Sequence, residues 1–533
     1  MGKLLLKDIF FGQTDAKNEF RADTEEEKET FMQGFLLPDV IDLDAFRNGK
    51  KFFITGLKGT GKTALMRYIS LHLERQYGSN THFFLFKEKM TEDTKAKLTR
   101  GSDWISIRSG RDSNQKDYVA IWEWFIFRKI VEVCEENNIE LFKDDRNWRQ
   151  FVSVVKAVKL DEKERNYLIP NIIKGDIAVK TPVVEVNVGS EVGLTGSENT
   201  KKEEHKVRFV GYISQVMKLF EQLTPGKKDL YFFIDEVELS YGEKKQYQKD
   251  IWMIRDLVLA IDEMNRVARL KWYKLFIITG LRREVLDSTK SAGKEINKPV
   301  EDFGVNLMWQ QSGSKEEHPL IKIIHKRLMA AEFQLPKKDR ASEMEIWNKY
   351  LPSAISGVNA QEYILNKTWY RPRDIVRLLN IAKDQNPNAT SFTANMFERI
   401  NKEYSSLSWS EHTEELQATY STEEIDGIKR ILTGIICPFK LLSITEKANK
   451  VKEMYSSANA LLSKYKISDI LTHLYKIGIV GNAGDMVRFA YRGDPDLLLE
   501  KPMKIHAALW NYLSVTTEKK QNKQNKHKAS RKY

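Results

Sequence analysis

An α/β fold built on a parallel sheet, with further helical regions behind it, is predicted by three features of this 533-residue sequence. Short apolar runs at 51–55, 83–86, 230–234 and 275–279 are strand-like in length and rich in aromatic and β-branched residues. One of them, Leu230-Tyr-Phe-Phe-Ile234, is apolar throughout rather than alternating, the pattern of a strand covered by helices on both faces. Directly after the first run comes a glycine-rich loop leading into a helix-like stretch, Ala64 to Ile69.

Composition sets the outer bounds. Hydrophobic residues make up 41% and charged residues 30%, a globular balance for a chain long enough for two to four domains. No apolar run approaches the ~18–20 residues that span a bilayer, and the N-terminus lacks a secretory core, so no membrane partner and a cytoplasmic location are expected. Two cysteines, Cys134 and Cys437, exclude a disulfide framework and give no support to a zinc site. The formal charge is +12, and seven Lys and Arg against one acid between Glu518 and Tyr533 place half of it in the last sixteen residues. Such a tail reads either as a solubilising end or as a nucleic-acid arm, while the body is not basic enough to bind nucleic acid on charge alone.

Along the chain we expect an N-terminal segment at 1–50, packing near a bound ligand, and a core at 51–287 with a large insertion at about 88–215. A helical region follows at 288–403, a further folded domain at 404–514, and a disordered basic tail at 515–533. From Thr63 to Asp235 the chain runs 172 residues. Within that interval, 117–138 reads as a helix with Trp122, Trp124 and Phe125 on its apolar side. Residues 179–192 alternate like a half-exposed strand, and 189–204 reads as a mobile loop.

Chemistry concentrates at two places. Gly56-Leu57-Lys58-Gly59-Thr60-Gly61-Lys62-Thr63, followed by Ala64, fits G-x-x-x-x-G-K-[ST] at every fixed position and sits between a strand and a helix. Glycines there let consecutive N–H groups turn inward as an anion cradle, and the helix N-terminus adds partial positive charge. Lys62 is then expected on the β- and γ-phosphates of ATP, with the Thr63 hydroxyl on Mg2+. ATP is preferred over GTP because no Asn-Lys-x-Asp guanine motif occurs. Asp235 and Glu236 close the apolar strand, where acids are tolerable only at the ligand-facing carboxyl edge. Asp235 is expected as the magnesium partner and Glu236 as the group that polarises the attacking water. Thr279, expected at the end of the next strand, could touch the γ-phosphate or the water. Arg282 and Arg283 just behind it either neutralise phosphoryl charge or form a solvated turn. Arg266 and Arg269 are weaker candidates. Pro372 suits the first turn of a helix, which puts Arg371 and Arg373 at a helix start, where a phosphate or a salt bridge would explain them.

This order of motifs resembles the AAA+/STAND-type division of P-loop NTPases, and within it the origin-recognition and helicase-loader ATPases. It is also similar to a group of bacterial P-loop ATPases, through Phe10-Phe11-Gly12 with Asp15 and through Tyr491-Arg-Gly-Asp494; several ATPases of this broad type act in anti-phage defence. The resemblance implies a P-loop core, a helical lid and a C-terminal winged helix. It implies Thr279 or Arg282 as one phosphate sensor, Arg373 and less surely Arg371 as the second, and Phe10, Phe11 and Gly12 near the adenine. Ring assembly is not implied, because the arginine-finger position is ambiguous.

Read by itself, the C-terminal domain also suggests a winged helix. Helices at 457–464 and 467–476 precede strands at 478–482 and 486–491 around a wing at 483–485. Its second helix offers only His473 and Lys476 to a phosphate backbone, which favours a protein partner or self-association over nucleic acid. Two alternatives to an ATP-driven switch stay open: a nucleotide-gated DNA-binding loader or regulator, and a P-loop kinase, against which Glu236 argues.

Overall fold

The computed structural model describes residues 2–20, 23–86, 118–157, 213–237, 244–289, 294–309, 315–417, 419–484, 488–494 and 496–517. The strand-like 179–192, the loop at 189–204 and residues 518–533 of the basic tail lie outside them; the first residues of the expected tail are ordered instead, since Thr516–Thr517 pairs as a parallel strand with Ile436–Cys437. The chain divides into two compact units: Met1–Pro38 with Leu57–Ala64 and Leu307–Tyr533, and Asp39–Gly56 with Leu65–Asn306.

The second unit is the α/β core. Its strands are β1 (Phe53–Gly56), β2 (Thr81–Leu85), β3 (Leu230–Val237), β4 (Leu275–Arg282) and β5 (Gly304–Asn306). They form a five-stranded, wholly parallel sheet in the order β2-β3-β4-β1-β5. Parallel neighbours need helical crossovers, and helices at Lys62–Tyr77 and Lys244–Leu270 supply two of them. The apolar runs behave as expected of doubly covered strands: every residue of β1 is buried, and of β3 only Glu236 is not. The helix expected at 117–138 is Val119–Glu136, and it buries Trp122, Trp124 and Phe125. Trp122 donates its indole N–H to the Met253 carbonyl at 2.8 Å, and Phe125 meets Phe84 edge-on with centroids 5.1 Å apart. Each such ring contributes roughly 1.5–3 kcal/mol of burial. This part of the 88–215 interval therefore belongs to the core of the unit.

Among its described residues the first unit is mostly helical. Helices Pro319–Glu332, Ala360–Lys367, Pro372–Gln385, Ala394–Arg399 and Asn401–Leu416 come first. A hairpin with Ser356 and Gly357 at its tip, both at positive φ as a two-residue turn demands, precedes Ala360. The winged-helix-like domain follows with Thr422–Leu432, started by a Ser421–Glu424 capping box, then Leu441–Met454, Ser456–Lys464 and Ile467–Lys476.

Its wing differs from expectation. Val480–Asn482 pairs antiparallel with Met503–Ile505, and the described residues 488–491 of the expected second strand form no strand. Arg488 makes one isolated bridge to Asn482, and Ala490–Arg492 turns as a 3-10 helix. The aromatic alternation that suggested a strand serves packing instead. The Phe489 ring lies so close over Gly481 that an added Cβ would stand 2.5 Å from it, and Tyr491 OH is 3.1 Å from His506 Nε2. His473 is not a surface cation either: its ring lies against Tyr420, and burial pushes its pKa down to about 4.

No described helix is long and apolar enough to cross a membrane. Cys134 and Cys437 are buried and not disulfide-bonded.

Candidate functional site

In the second unit the sheet register fixes where the acids emerge. β3 runs in step with β4 up to Ile234, opposite Thr279, and then shifts so that Val237 faces Leu281. That bulge contains Asp235 and Glu236. Glu236 has φ +59, the left-handed region that a non-glycine residue occupies at a cost of about 1–2 kcal/mol. A bulge of this kind re-aims a side chain at the end of a strand, and strain there is retained where the surrounding structure enforces it. Asp235 is 3% exposed, and its Oδ1 accepts the Glu236 N–H at 2.7 Å. Glu236 is half-buried.

Gly280 explains how closely these pieces pack. It faces Ile54 of β1, and a Cβ built on it would stand 2.8 Å from Met66 Cε and 3.3 Å from Asp235 Oδ1. Met66 lies three residues beyond Thr63 on the helix that follows the glycine-rich loop. Met66 and Asp235 thus both close on Gly280, and only glycine leaves them room. The chain enters the loop from Gly56, which pairs with Arg282, at the same sheet edge.

Two expectations about β4 change. Thr279 does not end the strand. It is fully buried in mid-strand, and its hydroxyl donates to the Ile234 carbonyl at 2.9 Å. Arg282, the last residue of β4, occupies the end instead, and Arg283 starts the next helix. Of the weaker arginines, Arg266 pairs with Glu263, and Arg269 lies over the Phe303 ring at 4.5 Å.

In the first unit the glycine-rich loop has the backbone its motif requires. Gly59 and Gly61 have φ +80 and +92, which turns the loop without a Cβ penalty. Open space surrounds Gly61, so a phosphate could approach the backbone closely there. Lys62 Nζ donates to the Leu57 carbonyl at 2.9 Å, which lays its ammonium over the loop. The Thr60 hydroxyl donates to the same carbonyl, and Trp309 Nε1 donates to the Thr60 carbonyl at 2.8 Å. Lys62, Thr63 and Ala64 open the helix Lys62–Tyr77.

Pro372 occupies the first turn of its helix with Arg371 as N-cap, as expected. Arg373 donates its backbone N–H to the Gly59 carbonyl at 3.4 Å, its Nε to the Thr14 carbonyl at 2.9 Å and a guanidinium N–H to Glu411 Oε1 at 3.0 Å. Thus Arg373 sits on the glycine-rich loop, whereas Arg371, 4% exposed, lies 4.0 Å from Glu415. The N-terminal element is drawn to the same helix, since Asn380 Nδ2 donates to the Gly12 carbonyl at 2.9 Å. Gly12 has φ +104 and no room for a side chain beside Glu19. Phe11 is 2% exposed and packs on Phe392, and Phe10 lies under the Arg327 guanidinium at 5.7 Å. The Phe11 ring is a core side chain.

Sequence reasoning missed the acids of helix Asn401–Leu416. Lys58, 7% exposed, pairs with Glu414 at 2.9 Å and lies 3.9 Å from Glu411. Glu411 also pairs with Arg377, which pairs with Asp374 at 3.1 Å. Burial works to raise the Glu411 carboxyl, yet Arg377, Arg373 and Lys58 hold it well below the usual carboxylate range. Asp374 goes the other way, pushed up to about 6 by burial and then by the charge of Glu411. Lys58 and Glu414 are 356 residues apart, so no local pattern could have linked them.

Among the described residues no group of three or more His, Cys, Asp or Glu is arranged as a metal cage. Magnesium asks for little more than a hydroxyl and a carboxylate beside phosphate oxygens and water; the first unit carries such a hydroxyl on Thr63 and the second such a carboxylate on Asp235.

Residues 318–411 match a family described as the FunZ-associated C-terminal helical domain. The crystal structure of Cdc6p from Pyrobaculum aerophilum is similar at 11% sequence identity and a TM-score of 0.30, over 90% of each chain. No curated protein matches the sequence.

Proposed function

We propose that this protein binds ATP with magnesium, hydrolyses it, and uses the cycle as a conformational switch acting on another macromolecule. What supports the reading is that each unit carries half of such a site: Asp235 at the bulged end of β3, closing with Met66 on Gly280, and a glycine-rich loop that holds Gly59 and Gly61 at positive φ. In this reading the loop amides and Lys62 bind the β- and γ-phosphates, and Thr63 with Asp235 holds magnesium, which supplies charge neutralisation on the transferring phosphoryl group. Glu236, turned out of β3 by the bulge, takes up the proton of the attacking water. Arg282 and Arg373 offer cationic charge to the γ-phosphate, and Thr279 contributes by fixing β4 to β3 through its hydroxyl. A binding role for Phe10 and Gly12 near the adenine is part of the proposal; Phe11 supports it only from beneath. The helical regions supply no second set of catalytic side chains among the described residues, which favours a switch, with defence against phage as one setting for it. A protein partner is preferred, since His473 is unavailable to a nucleic-acid backbone.

The test is magnesium-dependent phosphate release by the full chain beside Lys62→Ala. We expect the variant to lose at least about a hundredfold of the rate. Equal rates in the two proteins would end the proposal.

A further inference from the structure

The acidic cluster on helix Asn401–Leu416 has no role in the chemistry just described, yet it touches the phosphate loop and the arginine beside it. Two carboxylates are involved. Glu414 accepts from Lys58, the third residue of the loop, at 2.9 Å. Glu411 accepts from Arg373 at 3.0 Å and from Arg377, and lies 3.9 Å from Lys58. Arg373 also donates its backbone N–H to Gly59, so its guanidinium starts from a point fixed on the loop.

Charge balance makes this arrangement consequential. Lys58, Arg371, Arg373 and Arg377 face Asp374, Glu411, Glu414 and Glu415, four cations against four acids. A nucleoside triphosphate brought to the loop adds several negative charges beside cations that already have acidic partners among the described residues. Its γ-phosphate and the Glu411 carboxylate are then rival acceptors for one guanidinium. The geometry of Arg373 favours the rivalry: its side chain is 25% exposed, with Nε held by the Thr14 carbonyl and one guanidinium N–H spent on Glu411, whereas Arg377 at 14% also holds Asp374.

Resting on the ATPase reading above, we infer that Glu411 is a positioning residue that competes with the γ-phosphate for Arg373, so that triphosphate binding loosens helix Asn401–Leu416 from the phosphate loop. The next helix along the chain is Thr422–Leu432, the first of the winged-helix-like domain. Release of Glu411 and Glu414 is therefore a direct route from nucleotide to C-terminal domain. A diphosphate, lacking the γ-phosphate, leaves the Arg373–Glu411 pair in place.

Equilibrium binding of ATP and of ADP to the full chain tests this, with wild type, Glu411→Gln and Glu411→Asp compared at low salt. Glu411→Gln removes the rival charge and keeps the shape. It is expected to tighten ATP by about fivefold, the worth of one partly exposed charge pair, with ADP changed less than about twofold. Glu411→Asp, which keeps the charge, should stay near wild type. Equal affinity of Glu411→Gln and wild type for ATP, or a parallel loss for both nucleotides, overturns the inference while leaving the ATPase reading intact. Should Glu411→Gln fail to fold, Glu414→Gln decides: its side chain is 65% exposed, and it must tighten ATP in the same direction, an unchanged affinity being fatal. Wild type binding no better than Lys62→Ala would remove the ATPase reading and this inference together.

Discussion

Glu236 offers the sharpest test of how the acidic end of β3 is built. Its φ of +59 lies where an L-residue pays for the proximity of its Cβ to the backbone, and the β3–β4 register shifts across it. Two substitutions remove the carboxylate and differ only in the Cβ: Glu236→Ala keeps it and Glu236→Gly does not. At an ordinary strand position the alanine protein is the more stable, by about 0.4–1 kcal/mol, because glycine gains more freedom on unfolding. At φ +59 the order inverts. Alanine keeps the left-handed strain of about 1–2 kcal/mol, so the glycine protein should be more stable by about 1 kcal/mol after its own entropy is subtracted. For a unit of this size that is a difference of about 2–4 °C in Tm, read by thermal melting without nucleotide. Phosphate release is measured alongside, and both variants, with Glu236→Gln as a shape-preserving control, should lose about a hundredfold or more of turnover. An alanine variant that melts above the glycine variant would refute the strain argument. A Glu236→Gln protein with wild-type turnover would refute the catalytic one.

Two further outcomes follow from the first unit. Gly59→Ala should destabilise more than Gly61→Ala, for which about 1 kcal/mol of backbone strain is expected, because a Cβ on Gly59 also meets Arg373 Cβ at 3.3 Å while Gly61 has open space; equal melting shifts would contradict this. Burial pushes His318, His412 and His473 down to about 4, so the unfolded chain takes up their protons first as pH falls below about 6.5. Stability is then present in full above that pH and declines towards pH 4, on the order of 3 kcal/mol for His412, with Asp374 at about 6 working in the opposite sense by about the worth of one such histidine; urea midpoints from pH 7.5 to 5 check it, and His412→Asn should flatten the slope.

What could be read without a structure was what is local along the chain. The glycine-rich loop, its flanking strand and helix, the apolar strand ending at Asp235 and the proline-started helix after Arg371 all depend on neighbours a few residues away. Short-range sterics and periodicity fix those. The misreadings occurred where local pattern served two ends at once. Thr279 looked terminal because Gly280 interrupts the apolar run, whereas the strand continues to Arg282 and glycine is there to admit Met66 and Asp235. The aromatic alternation at 489–491 resembled a strand but fills the space over Gly481 and His506.

The sequence alone thus determined that a glycine-rich loop between a strand and a helix and an acidic strand end exist, since each is encoded in a contiguous segment. Only the tertiary structure decided which distant charges face them: Glu411 and Glu414 on Arg373 and Lys58, and the Glu236 backbone forced to positive φ. Those pairings are set by how helices and strands pack, and packing joins residues whose separation along the chain carries no information about their distance in space.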